Sequence, residues 1–184
     1  MRTRTLLWIM GAVAGVFGVL VVAGLPLYVF PPAEDIDDAD LIFVIGPPNE
    51  ERVAAERTLR SADVADLSLY SVTSRGRLSA EALAVCREAT VTCAHIEPFT
   101  TKGEFAYLER FAHENDVERT VVLTFTPHVA RTRYIAEKCF DGDVTVMAVD
   151  EGLTFGDWIY QYLYQSAAFV KAWATPCAEG APRQ

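Results

Sequence analysis

The chain has 184 residues, 51% of them hydrophobic, and 25 acidic against 16 basic side chains give it a formal charge of −9. This balance argues against nucleic acid or an anionic lipid surface as a broad electrostatic partner. The four cysteines include no Cys-x-x-Cys pair, so the usual zinc and thioredoxin-like signatures are missing and no metal or cofactor is expected.

The first element is Leu6 to Phe30, LLWIMGAVAGVFGVLVVAGLPLYVF, 25 residues without a charge. As a helix it rises roughly 37 Å, enough for a hydrocarbon core of about 30 Å with some tilt. Val22-Ala23-Gly24 would suit a signal peptidase, but a signal's apolar region is shorter, about 7–15 residues, which favours an uncleaved anchor. Arg2 and Arg4 precede the stretch, and Glu34, Asp35, Asp37, Asp38 and Asp40 follow it. By the positive-inside rule, residues 1–5 face the cytoplasm and the remainder lies outside a plasma membrane. Setting aside Arg2 and Arg4 leaves 14 basic against 25 acidic residues in that remainder, a balance of −11.

Residues 31–39 read as a short solvated acidic linker lifting one compact domain, 40–174, off the membrane. Strands are expected at Leu41 to Ile45, Leu67 to Val72, Thr90 to Ile96, Thr120 to Phe125 and Val144 to Val149. Helices are expected at about 50–60, 79–88, 103–114, 127–138 and 156–174. This alternation predicts an α/β fold, a Rossmann-like three-layer sandwich with a mostly parallel sheet. In the last helix, Ile159, Tyr162, Leu163, Phe169, Val170 and Trp173 recur at helical spacing, which predicts a core-facing stripe, a membrane-surface role being the alternative that a single cation, Lys171, disfavours. The tail 175–184 is expected to be loose. Cys86 and Cys93, with six residues between them, are the pair most easily closed, buried free thiols being the alternative.

Ligands of open parallel sheets bind beyond the carboxyl ends of the strands, where loops enter helices. Two stretches lie there. In Glu97-Pro-Phe-Thr-Thr-Lys-Gly-Glu-Phe105, Thr101 and Glu104 have the spacing of a capping box. Thr100, Glu97 and Gly103 are left over, and a first-turn glycine allows close approach to the backbone. In Thr124-Phe-Thr-Pro-His-Val-Ala-Arg131, Thr126 is a plausible cap and Pro127 suits the first helical position. His128 and Arg131 share a face, and with Arg133 nearby the helix start makes an anion pocket. Asn49 caps the helix after the first strand. Gly-x-Gly-x-x-Gly, Gly-x-Ser-x-Gly and a P-loop are all absent.

At these residues the chain resembles the SanA/ElyC/YdcF-like family over about 40–149. The strongest pieces are Thr100-Thr-Lys-Gly-Glu104 and the strand-to-helix stretch Val121 to Arg131. The resemblance implies a cleft lined by Gly46, Arg52, Ser71, Glu97, Thr100, Thr101, Glu104, Thr124, His128 and Arg131. Phe125, Pro127 and Pro47-Pro48 depart from the family's pattern. It also implies a setting in cell-envelope and peptidoglycan-precursor homeostasis. A phosphorylated or lipid-linked ligand is then expected at the helix starts, with His128, Glu97 or Glu104 as the candidates for proton transfer. A non-catalytic module that organises a protein partner is the alternative.

Overall fold

The computed structural model describes residues 2–36 and 38–178, so most of the expected tail lies outside the described residues. Five strands form one all-parallel sheet: β1 Leu41–Val44, β2 Leu67–Val72, β3 Val91–His95, β4 Arg119–Phe125 and β5 Asp143–Val149. Their spatial order is β3-β2-β1-β4-β5, with Leu41 of central β1 opposite Leu67 on one side and Thr120 on the other. All four β1 side chains are buried, because helices cover both sheet faces. Leu41 and Phe43 join a core with Phe105, Leu108 and Ile135 from the helices α3 (Thr101–Glu114) and α4 (Val129–Cys139). Ile42 and Val44 face the opposite layer, where Val53 and Leu59 of α2 (Glu50–Ser61) pack. Asn49 caps α2 by accepting from the Arg52 amide at 2.9 Å.

The stretch 79–88 is not a helix. It is a series of turns ending in a short 3-10 segment, Ala84–Arg87. Ser79 bridges Thr73 beyond the end of β2, and Cys86 is bonded to Cys93 of β3, so tertiary ties override the helix-forming residues between them. A second disulfide joins Cys139, at the end of α4, to Cys177 beyond the last helix.

Among the described residues one helix is long and apolar enough to cross a membrane, over Trp8–Val29. It comprises α1, Arg2–Gly24, and a π-helical continuation, Leu25–Val29, that begins around Pro26. The following residues are not a free linker. Glu34 pairs with Arg133 at 2.6 Å and accepts from the Val146 amide at 2.7 Å. Asp40 accepts from the amides of Glu118 and Arg119 at 2.9 and 2.8 Å, which hold its carboxyl below the usual range. The expected solvated spacer is therefore pinned to the domain, its acids satisfying strand-edge and loop amides.

The last helix, α5 (Phe155–Ala174), starts at a capping box between Thr154 and Asp157. Its apolar stripe does not face the core: Ile159, Leu163, Val170 and Trp173 are exposed, and Gln165 and Ala172 are the buried positions. Periodicity puts residues on one face of a helix without saying what covers that face. At its C-terminus, Lys102 Nζ donates to the carbonyls of Ala172 and Thr175 at 2.7 and 2.6 Å, and Lys138 Nζ reaches Thr175 O at 2.9 Å. Two ammonium groups thus close the carbonyl end of α5.

Candidate functional site

The carboxyl ends of β1 and β4 meet where the chain order of the sheet reverses, the place where α/β sheets take ligands. Gly46 follows β1, and the 3-10 turn Thr126–His128 follows β4 and leads into α4. The start of α3 comes in from the β3 side.

The cap of α3 is Thr100, not Thr101: its hydroxyl accepts from the Gly103 amide at 3.1 Å. With the capping role filled one residue earlier, Thr101 and Glu104 turn into the site. Glu104 does not reach back to the cap but accepts from the amide of Gly46, 58 residues away, at 2.8 Å. Gly103 serves packing, not a ligand, because a Cβ there would overlap the carbonyl of Pro98. Gly46 is equally constrained, since a Cβ would come within 2.8 Å of Ser71 Oγ and 2.9 Å of the Phe99 ring. Thr126 makes no cap either; the helix is entered through the 3-10 turn around Pro127.

His128 is buried between two hydroxyls, Thr124 Oγ1 at 2.8 Å from Nδ1 and Thr101 Oγ1 at 3.3 Å from Nε2. Burial, reinforced by the charges of Arg131 and Arg52, holds its pKa well below the ordinary 6.5, so the ring is neutral. Arg131 donates from Nε to Gln165 Oε1 at 2.9 Å and from Nη1 to Thr101 Oγ1 at 3.4 Å. Both partners are neutral. Arg52 lies over the Phe125 ring, 5.6 Å from its centroid, pairs with Glu151 at 2.6 Å and donates to the Ile45 carbonyl. Burial raises the Glu104 pKa, opposed by the Ser71 hydroxyl, the Gly46 amide and the two guanidinium groups.

These groups surround a cavity of about 630 Å³, lined by Gly46, Arg52, Thr100, Thr101, Glu104, His128 and Arg131. Ser71 and Thr124 are buried behind it, Ser71 beside Glu104 and Thr124 orienting the imidazole. Glu97 stands apart: it is exposed and meets His95 Nε2 at 2.8 Å. Arg133, expected beside the anion pocket, is held by Glu34 outside the cavity lining. Four cationic side chains, Arg52, Lys102, Arg131 and Lys171, line the cavity against the single carboxylate of Glu104, in a chain of net charge −9.

One wall escaped the sequence reading altogether. Tyr160, Tyr164, Gln165 and Lys171 of α5 close the cavity opposite the sheet. Gln165, fully buried and hydrogen-bonded to Arg131, was the available signal: an amide amid aromatic and apolar residues needs partners if it is to be buried. Among the described residues no group of three His, Cys, Asp or Glu side chains converges as metal ligands do.

The fold and cavity define a Rossmann-like α/β domain with a cationic pocket at the switch point of its sheet, joined to an N-terminal helix of membrane-spanning length. Comparison with protein-family models, with curated proteins and with solved structures gives no match.

Proposed function

We propose that the chain is a single-pass membrane protein, N-terminus in the cytoplasm and α/β domain outside the plasma membrane. There it acts in cell-envelope, peptidoglycan-precursor homeostasis, as a member of the SanA/ElyC/YdcF-like family would. It does so by binding a phosphorylated or nucleotide-like ligand at the carboxyl edge of the sheet. The charge asymmetry around the apolar span supports the orientation. The two disulfides fit an oxidising compartment.

The observation that carries the ligand class is Arg131, a partly buried guanidinium facing the cavity with only neutral hydrogen-bond partners. Desolvation lowers its pKa, and a phosphate oxygen is the partner such a group lacks. The first turn of α3, with the hydroxyls of Thr100 and Thr101, adds donors at the same end. A non-catalytic role is favoured by the imidazole of His128, both nitrogens of which already face threonine hydroxyls. Glu104, its pKa raised by burial, is the group left to carry a proton in any turnover.

The test is calorimetric titration of the full chain in detergent micelles with inorganic phosphate and with a sugar nucleotide. A hydrogen bond to a charged group contributes about 1.5–3 kcal/mol, so Arg131→Met should weaken binding by roughly 10- to 150-fold. Arg133→Met, outside the cavity, should bind as wild type does. Equal affinity in wild type and Arg131→Met, or no binding of either compound, refutes the reading in favour of a protein-partner module.

A further inference from the structure

We infer that α5 lies in the membrane interface, its exposed apolar stripe covered by lipid, an assignment that rests on reading Trp8–Val29 as a membrane span. Tyr162 of α5 donates from its hydroxyl to the carbonyl of Val21, and its ring packs against Gly24, where a Cβ would come within 2.5 Å of it. Tyr28 stacks edge-on against Tyr162, ring centroids 5.0 Å apart, and its hydroxyl lies 3.2 Å from Ser166 Oγ. Val21 stands eight residues before the end of the span at Val29, about 12 Å into it at 1.5 Å per residue. A helix that touches the span at that depth cannot stand clear of the bilayer the span crosses.

The rest of α5 is built for that position. At about 100° per residue, positions 155, 159, 163, 166, 170 and 173 fall within about 80° of one another. Apart from Ser166, they are Phe155, Ile159, Leu163, Val170 and Trp173, exposed by 81, 51, 69, 65 and 71%. The two side chains that meet α1 and its continuation, Tyr162 and Ser166, lie at the border of this stripe or within it, so the stripe and the apolar surface of α1 are continuous. The only charges on α5, Asp157 and Lys171, project from the opposite side. Tyr160 and Tyr164, ring centroids 5.7 Å apart, lie on that same far side, where both line the cavity, so the apolar stripe and the cavity face away from each other. The continuity with α1 selects lipid over a second copy of the chain, which would have to share this face with the span's own surroundings.

Two single-tryptophan chains test this in phosphatidylcholine vesicles carrying bromine on the acyl chains. Trp8→Phe/Trp158→Phe leaves Trp173 to report on α5, and Trp158→Phe/Trp173→Phe leaves Trp8 to report on α1. Trp173 should lose as large a share of its fluorescence as Trp8 relative to unbrominated vesicles. Adding Ile159→Asp/Val170→Asp should restore Trp173 and leave Trp8 quenched. Quenching of Trp8 without Trp173 overturns the inference and leaves the span standing; quenching of neither removes the span and the inference together. A Trp173 shielded from aqueous acrylamide yet untouched by bromine would give the face to a second copy, which also overturns it.

Discussion

Replacing Cys139 and Cys177 together by alanine should destabilise the domain more than the same change at Cys86 and Cys93, and should also disable the cavity. The bridges close loops of very different length, with sequence separations of 38 and 7. Loop-closure entropy in the unfolded chain then assigns about 4 kcal/mol to the first and about 2.3 kcal/mol to the second. The longer bridge also has a local role. Cys177 lies between Pro176 and Ala178, both of which line the cavity, and beyond the α5 carbonyls that Lys102 and Lys138 hold. Without it the end of α5 is kept by the buried Ala172 and by hydrogen bonds to two exchangeable ammonium groups. Urea unfolding of the full chain in micelles, followed by tryptophan fluorescence, gives the two losses as differences from wild type. Phosphate titration of the same proteins should show weakened binding in the Cys139/Cys177 variant alone. Equal losses, or the larger loss from the shorter loop, would refute the entropic argument; unchanged phosphate affinity would refute the role given to the bridge in holding the cavity wall.

Thr100→Ala should cost about 1 kcal/mol, the usual loss of a helix cap, and Thr100→Ser well under that, as compared by thermal unfolding. Equal stability of Thr100→Ala and wild type would refute the capping role of Thr100. Two buried groups should pull stability in opposite senses between pH 4.5 and 6.5. The unfolded chain protonates His128 below 6.5 while the folded chain resists, so this group destabilises the domain on acidification. Folded Glu104 keeps its proton above 4.5, where the unfolded carboxyl has lost it, so its share of stability declines as pH rises through its folded value. Urea midpoints across this range should therefore rise with pH more steeply in Glu104→Gln than in wild type, and less steeply in His128→Gln. Parallel profiles for all three proteins would show that neither group titrates differently on folding.

The sheet was legible because its strands carry their own signal. Leu41 to Val44 and Val121 to Leu123 are apolar on both faces, and only a covered parallel sheet buries both. Local signals failed where a distant partner decided the outcome. Ser79 to Glu88 holds good helix formers, yet a bridge to Thr73 and a disulfide to β3 dictate its path. Thr100 and Thr101 are adjacent and chemically alike, and which of them caps depends on Pro98 closing over Gly103. In the site, His128 and Arg131 could be placed together from their spacing on α4, but nothing in 97–104 indicates that Glu104 would meet Gly46 while Glu97 points to solvent. The α5 wall was hidden for another reason: the periodicity that finds an apolar stripe is the same whether protein, lipid or a second chain covers it.

The acids of 31–40 determine how far the site can travel. Were the nine residues 31–39 a free tether, the domain would roam over about 16 Å from its attachment point. Glu34 on Arg133 and Val146, Asp40 on the amides before β4, and Tyr28 buried against the domain remove that slack. With α1 in a bilayer, the cavity keeps a fixed position and heading relative to the lipid plane. A ligand of the class proposed would then be met by diffusion in two dimensions, and its distance from the membrane would become part of what is recognised.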